Sequence, residues 1–233
     1  MSMRPRTSER RSCGLTLIEV MVTLVILLLG LLGLSGLIIK AGQISYEAYE
    51  RQQALAIAND LAERMRANQA TGVATPANSE IASFYAAKSS PGAPLGEPSS
   101  AAMWTALRAG SIKDCSAASN CTTTELVDYD LATWEGLLIG AAKTNASNLR
   151  IGGIGNARGC VEPVAPGANS PANTYRITVA WQGDQGVPVG NADDLRKATA
   201  CAQGLYLNRD NAPDTLDQYR RLVSLYVSIS QPL

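Results

Sequence analysis

Two kinds of side chain stand where they could do chemistry: one carboxylate beside an apolar run, and a set of cysteines. Glu19 immediately precedes an uncharged run of twenty residues, Val20 to Ile39. A carboxylate that enters hydrocarbon costs a few kcal/mol, so an ionisable residue at this place is a candidate functional residue. The alternative interpretation is that Glu19 rests at the level of the lipid headgroups, beside the arginines that precede it.

The chain has five cysteines, of which Cys13 precedes the apolar run and four follow it. An even number in an oxidising compartment implies disulfides. Of the three connectivities we favour Cys115–Cys121 and Cys160–Cys201, since neighbours in sequence meet at the lowest entropic cost. A four-thiolate metal site is the alternative, but the gap between Cys115 and Cys121 is not the two-residue spacing of zinc sites. We therefore expect no metal.

The composition excludes several classes of function. Without a histidine, the chain cannot supply Ser-His-Asp or Cys-His catalysis, His-ligated zinc or a proximal haem ligand. Twenty basic and twenty acidic residues give zero net charge, which lacks the cationic excess of a general nucleic-acid binder. No nucleophile motif, phosphate loop or catalytic carboxylate pair stands out. We expect neither an enzyme nor a cofactor, and no nucleic-acid partner.

The apolar run must span a membrane if it is a helix. Twenty residues at about 1.5 Å each reach roughly 30 Å, the thickness of a bilayer's hydrocarbon core. The run is longer than the apolar region of a cleaved secretory signal, and it ends at Lys40. The first fourteen residues carry four arginines and one glutamate, namely Arg4, Arg6, Arg10, Arg11 and Glu9. The positive-inside rule then keeps the first residues in the cytoplasm and exports the rest.

The string from Gly14 to Val20, GLTLIEV, follows a short basic leader and opens the apolar run. This arrangement resembles the prepilin signal of type IV pilins and type II secretion pseudopilins. The resemblance implies that a prepilin peptidase cuts between Gly14 and Leu15 and methylates the new amino group of Leu15. Phenylalanine is usual at that position, so Leu15 is a departure that keeps the site apolar. Glu19 would then neutralise that amino group, or the one on a neighbouring subunit, and guide subunit docking.

Loss of residues 1–14 would remove four arginines and one glutamate and leave a net charge of −3 on the mature chain. An acidic exported surface argues further against DNA binding, although Arg220 and Arg221 could form a local basic patch. The alternative is that these two arginines only begin a strand.

Helical periodicity continues beyond the span, because Ile57, Leu61 and Met65 recur every four residues. We predict one helix from about residue 15 to residue 68, with an outer half that packs on a sheet. Within the span, three glycines recur every third residue, Gly30, Gly33 and Gly36. They indicate close helix packing in a filament core, a segment that can unwind locally, or glycines that are merely tolerated.

Alternating apolar residues predict two antiparallel strands, at about 175–181 and 223–229. Short runs near 149–154 and 204–207 could complete the sheet. Asp130 is a candidate N-cap for a short helix in which Trp134 is a core residue. Residues 71–101, rich in Pro, Ser and Ala, predict a surface excursion of low order. A calcium loop formed by Asp210, Asn211, Asp214 and Asp217 is less favoured than a solvated acidic loop, because the spacing matches no calcium loop.

The predicted fold class is α+β, a pilin-like lollipop with a long N-terminal helix packed on an antiparallel sheet. Its segments are a cleaved leader (1–14), a membrane and filament-core helix (15–39), an amphipathic continuation (40–69) and a periplasmic globular domain (70–233). Two strings are similar to the PilV group of minor pilins, ILLLGLLGL at residues 26–34 and the Tyr-Asp-Leu then Trp string at residues 129–134.

The resemblance implies a minor pilin that is held in the inner membrane and then assembled into a surface pilus, with roles in pilus assembly, twitching motility and adhesion. Its partners would be prepilin peptidase, the major pilin and other minor pilins, with a possible tip adhesin. The alternatives are a minor pseudopilin of a type II secretion system and a periplasmic enzyme on a signal anchor.

Overall fold

The computed structural model describes residues 14, 16–70, 78–96, 101–116, 120–141, 146, 152–167, 173–191 and 194–229. The chain divides into two compact units, Met1–Tyr46 and Glu47–Leu233. The elements in chain order are α1 (Leu17–Ala70), α2 (Asn78–Lys88), α3 (Ala102–Arg108), α4 (Thr123–Leu138), β1 (Arg158–Val164), β2 (Thr174–Gln182), α5 (Leu195–Ala198) and β3 (Arg220–Ser228). The leader before Gly14, with Cys13, and Leu15 lie outside the described residues.

Helix α1 runs without a break for 54 residues, close to the length predicted from its periodicity. In the first unit its described residues are almost all exposed. In the second unit the same helix buries one face, and Ala58, Leu61 and Met65 there are at most 1% exposed. The four-residue recurrence of apolar side chains therefore places them on a buried stripe.

The sheet is antiparallel and has the strand order β1-β2-β3. Arg158 pairs with Ala180 at one end of the first ladder, and Gln182 pairs with Arg220 at one end of the second. The central strand β2 is buried along most of its length, as expected when both faces of a strand are covered. Together with the long apolar helix, this sheet confirms the predicted α+β class.

One core joins α1, α4 and one face of the sheet. Trp134 is a fully buried member of this core and donates its indole N–H to the backbone oxygen of Ile57 at 3.0 Å. The expectation that Trp134 is a core residue is confirmed. A smaller cluster of Ala180, Ala202 and Tyr206 is buried separately. This second cluster contains residues of β2 and of the chain between α5 and β3.

The strand that completes the sheet is not where the sequence predicted it. Strand β1 occupies residues 158–164, whereas the described residues 152–154 and 204–207 belong to no strand. The sequence of β1, RGCVEPV, includes a proline and does not alternate in polarity, so it carries the local signal of a strand only weakly. The other two strands lie within one to three residues of their predicted bounds.

Two further expectations are corrected. Residues 78–88, inside the stretch expected to have low order, form α2 and bury Tyr85 completely. Helix α4 begins at Thr123 rather than after Asp130, because Thr122 and Glu125 form a capping box at its start. The Thr122 hydroxyl and the Glu125 carboxylate each accept a backbone N–H from the other residue, which satisfies two donors that the helix leaves unpaired.

Asp130 instead lies within α4 and ties three helices together. Its carboxylate accepts two hydrogen bonds. One comes from the Tyr85 hydroxyl of α2 at 2.6 Å, and the other comes from the Arg64 guanidinium of α1 at 3.3 Å. Asn68 of α1 donates to the same Tyr85 oxygen at 3.0 Å. Burial raises the pKa of Asp130 and that of Tyr85. Because buried polar groups are costly unless hydrogen-bonded, this network favours one arrangement of the three helices.

The contact between β1 and α4 predicts that Gly159 cannot be enlarged. A β-carbon there would lie 2.3 Å from Cη2 of Trp134 and 2.8 Å from Cδ1 of Leu138, both fully buried. We expect Gly159→Ala to destabilise the full chain by about 1–3 kcal/mol and to lower its Tm by roughly 5 °C. Thermal unfolding in detergent measures this. Gly92→Ala is the control, because no non-neighbouring atom lies within 4 Å of the position that an added β-carbon would take. Equal melting temperatures for the two variants would contradict the prediction.

Candidate processing and assembly site

The first turn of α1 carries the predicted site. The backbone N–H of Glu19 points at Thr16, whose carbonyl oxygen lies at 3.1 Å and whose hydroxyl lies at 3.4 Å. Thr16 thus acts as a capping residue, and Glu19 stands three residues further on, in the first turn. Gly14, Thr16 and Glu19 are all exposed. A carboxylate in the first helical turn is favoured by the positive end of the helix dipole.

Behind this turn, α1 presents a continuous apolar surface. From Leu17 to Ile39 its large hydrophobic side chains are 44–79% exposed. The helix Leu17–Asn68 is long and apolar enough to cross a membrane by its length and composition, and none of its most apolar stretch is buried. Such a surface is stable only when lipid or other apolar helices cover it. At Gly30, Gly33 and Gly36 no non-neighbouring atom lies within 4 Å of the position that an added β-carbon would take. This observation does not decide between helix packing, local unwinding and simple tolerance of the three glycines.

Comparison with known protein families gives one match. The model described as prokaryotic N-terminal methylation motif matches residues 10–35. This segment carries a class III signal of prepilin-like proteins. No curated protein and no solved structure matches the chain.

The matched segment contains Gly14, Leu15 and Glu19 together with most of the apolar run. It supports a protein of the type IV pilin or pseudopilin type. The motif implies processing by prepilin peptidase and assembly with other pilins. Together with the long apolar helix it fits an inner-membrane anchor with a periplasmic globular domain, and it points to a structural rather than an enzymatic protein.

The four cysteines after the span form two disulfides. Cys115 is bonded to Cys121, between α3 and α4, and Cys160 of β1 is bonded to Cys201. This is the connectivity favoured from the sequence. Cys160 and Cys201 are fully buried, and their bond holds the segment after α5 against the sheet.

Two of the acidic residues considered for calcium, Asp214 and Asp217, have structural partners. Asp214 accepts the Tyr219 N–H at 2.6 Å, and Asp217 accepts the Gly204 N–H at 3.0 Å and lies 3.3 Å from the Arg220 guanidinium. Both are nearly buried, at 6% and 9% exposure. Within the described part of the chain, no group of three His, Cys, Asp or Glu side chains could hold a metal ion. The expectation of a solvated acidic loop is therefore wrong for Asp214 and Asp217, which bond within the loop, whereas Asp210 and Asn211 are exposed.

Arg220 and Arg221 form no open basic patch. Arg220 is fully buried and donates to the carbonyl oxygens of Thr199, at 3.1 Å, and Cys201, at 2.8 Å. Arg221 donates to the carbonyl oxygens of Gln218 and Gln185, at 2.9 and 2.6 Å. Because these guanidinium groups are engaged internally, they give no support to DNA binding.

The burial of Asp130 and Glu135 was not recognised from the sequence. Asp130 occurs on the apolar face of α4, three residues after Val127 and four before Trp134, and this spacing could have revealed it. Glu135, 2% exposed, accepts the backbone N–H groups of Gly96 at 3.2 Å and Trp104 at 2.8 Å. Its partners are distant in sequence, so no local pattern indicates them.

The two disulfides are expected to differ in their contribution to stability. The Cys160–Cys201 bond spans 41 residues and the Cys115–Cys121 bond spans 6. In the chain-entropy description the longer loop contributes about 4 kcal/mol and the shorter about 2 kcal/mol. Replacing Cys160 and Cys201 by serine should therefore lower the free energy of unfolding more than replacing Cys115 and Cys121, as measured by denaturant titration of the full chain. An equal loss in the two double variants would be inconsistent with this account.

Proposed function

We propose that this chain is a minor pilin of a type IV pilus, cleaved between Gly14 and Leu15, N-methylated at Leu15 and assembled at low copy with other minor pilins and the major pilin. The observation that carries the proposal is the coincidence, on one helix, of the methylation motif at residues 10–35 with an uncovered apolar surface. An apolar helix that lipid covers before assembly can be covered by neighbouring helices afterwards, since both environments exclude water.

Glu19 supplies the electrostatic step of this proposal. The new amino group at Leu15 carries a positive charge at neutral pH, and a charge in an apolar filament core is costly unless it is paired. At about 4 Å, opposite charges attract by roughly 4 kcal/mol at an effective dielectric constant of 20. The carboxylate of Glu19 would therefore favour docking of a subunit whose amino terminus lies beside it.

A pilus is favoured over a type II secretion pseudopilus by two strings similar to the PilV group, at residues 26–34 and 129–134. Trp134 of the second string is a fully buried core residue, so the likeness includes a residue that packs the globular unit. This proposal gives the chain a part in a priming or tip complex, in twitching motility and in adhesion, with a tip adhesin as a further partner.

The test is Glu19→Gln in the full chain, expressed in cells that make the pilus. This substitution keeps the shape of the side chain and removes its charge. We expect cleavage to continue, and recovery of the chain in sheared surface filaments to fall about tenfold or more, because the amino terminus loses its counter-charge. Recovery is measured by immunoblotting of the sheared and membrane fractions.

Glu63→Gln is the matched control, since Glu63 lies on the same helix and forms an exposed ion pair with Arg66. It should leave recovery unchanged. Equal recovery of both variants would contradict the role of Glu19. A wild-type chain that is processed but never enters sheared filaments would contradict the pilus proposal and favour the secretion pseudopilus.

A further inference from the structure

The two edges of the sheet differ in how their backbone groups are used. At the outer edge of β1, Gly159 exchanges two 2.9 Å backbone hydrogen bonds with Leu95, and the Val161 N–H donates to the Ser89 oxygen at 2.7 Å. The next residue with the same orientation is Pro163, which has no N–H to offer. The outer edge of β1 is therefore closed by the segment around residues 89–95 and by a proline.

The register of β3 shows which of its backbone groups point away from the sheet. At one end the Ile229 N–H donates to the Asn173 oxygen at 3.0 Å, and at the other the Gly183 N–H donates to the Tyr219 oxygen at 2.7 Å. Residues in an antiparallel ladder alternate between facing their partner and facing outward. The odd-numbered residues of β3 therefore bond to β2. The outward N–H and C=O groups belong to Leu222, Ser224, Tyr226 and Ser228.

Helix α5 contacts β3 and bonds to it through Arg220, the first residue of the strand. From Leu222 to Ser228 the outer edge lacks the usual protections within the described part of the chain. No described residue hydrogen-bonds to the outward groups from Leu222 to Ser228. That stretch contains no proline, glycine or charged residue, and Tyr226 is 53% exposed. Natural proteins blunt a free edge with prolines, charges, bulges or a covering segment. The edge of β3 is open over seven residues, whereas the edge of β1 is closed. This difference indicates that β3 pairs with a strand of another chain.

We propose that the outer edge of β3 binds an extended, uncharged segment of another membrane-anchored subunit, which adds a fourth strand to the sheet. This inference rests on the proposed function, because it takes the partner from the same assembly. Four outward N–H and four outward C=O groups match about seven residues of extended chain, roughly 24 Å long. The small side chains of Ser224 and Ser228 leave room beside that strand, and Tyr226 offers it an aromatic surface.

Two observations favour an anchored subunit as the occupant. Helix α1 is long and apolar enough to hold the chain in a membrane, and confinement raises the effective concentration of other anchored chains, so a modest interface suffices. The charges beside the edge are paired: Arg221 donates to the carbonyl oxygens of Gln218 and Gln185, and Arg176, opposite Tyr226 on β2, forms a 3.0 Å ion pair with Glu162. A neutral edge favours a partner strand without charges, because an unpaired charge beside it would lose solvation.

Hydrogen–deuterium exchange of the full chain tests the proposal at single amides. The chain is compared in three states: expressed alone and solubilised in detergent, in membranes of cells that make the other subunits, and in sheared filaments. In the solubilised chain we expect alternation, with slow exchange at Val223, Leu225 and Val227 and fast exchange at Ser224 and Tyr226. In the membranes the amides of Ser224 and Tyr226 should exchange about tenfold or more slowly.

Unchanged fast exchange at Ser224 and Tyr226 in both membranes and filaments would overturn the proposal. Slow exchange of the two amides in the chain expressed alone, accompanied by a dimeric mass, would assign the edge to a second copy and overturn it too. Protection in membranes but not in filaments would support strand addition while counting against the pilus proposal. The two failures are therefore distinguishable.

Ser224→Pro provides an independent test, because it removes one outward N–H and no backbone hydrogen bond to β2. The 3.0 Å hydrogen bond between the Ser224 and Thr178 hydroxyls is lost in the proline and the alanine variants alike. Ser224→Ala is its control and keeps the N–H. We expect Ser224→Pro, but not Ser224→Ala, to abolish the slow exchange at Tyr226 in membranes. Tyr226→Lys places a charge on the edge and should do the same at Ser224, whereas Tyr226→Phe should not. If the proline variant fails to fold, the test rests on the lysine variant and on the exchange pattern of the wild-type chain. Slow exchange at Ser224 that persists in Tyr226→Lys contradicts the proposal.

Discussion

The structure depends on the need to remove the apolar surface of one long helix from water. Over residues 54–65 the protein meets this need itself, by packing α1 against α4 and one face of the sheet. Over residues 17–39 the large apolar side chains of α1 remain exposed. The free energy of burying apolar area, about 25 cal/mol per Å², drives both the folding of the globular unit and the association of the exposed segment with lipid or with other helices.

The remaining interactions of the globular unit hold its parts in one arrangement. Asp130 joins α1, α2 and α4 through Tyr85 and Arg64, and Glu135 holds the backbone at the start of α3. On the other side, the Cys160–Cys201 disulfide and the buried Arg220 hold the segment before β3. Within the described part of the chain, the backbone groups on the outer edge of β3 from Leu222 to Ser228 have no partner, whereas the outer edge of β1 is closed. This difference carries the proposal of strand addition.

The features that could be predicted from the sequence are those that depend on residues close together in the chain. The first turn of α1, its length and strands β2 and β3 followed from spacing along the chain, because helical and strand periodicities are local. Strand β1 was missed because Pro163 argues against a strand. In the structure its missing N–H faces outward, where no ladder bond is lost.

Other features could not be predicted because their partners are distant in sequence. The role of Arg220 depends on carbonyl groups at Thr199 and Cys201, and a disulfide to β1 holds that segment in place. Nothing around Arg220 indicates that it is buried. The start of α4 is a different case, because the Thr122 and Glu125 capping box is local and was present in the sequence. There the choice of Asp130 as the cap was wrong, since its spacing from Trp134 favours a position on the buried face.

The most direct test of the central claim is the mass of the intact chain and of its N-terminal peptide, isolated from membranes and from sheared filaments of the same cells. The account predicts a chain that begins at Leu15 with a methylated amino group in both fractions. A chain that begins at or near Met1 would contradict the prepilin account and leave Glu19 without an assigned role.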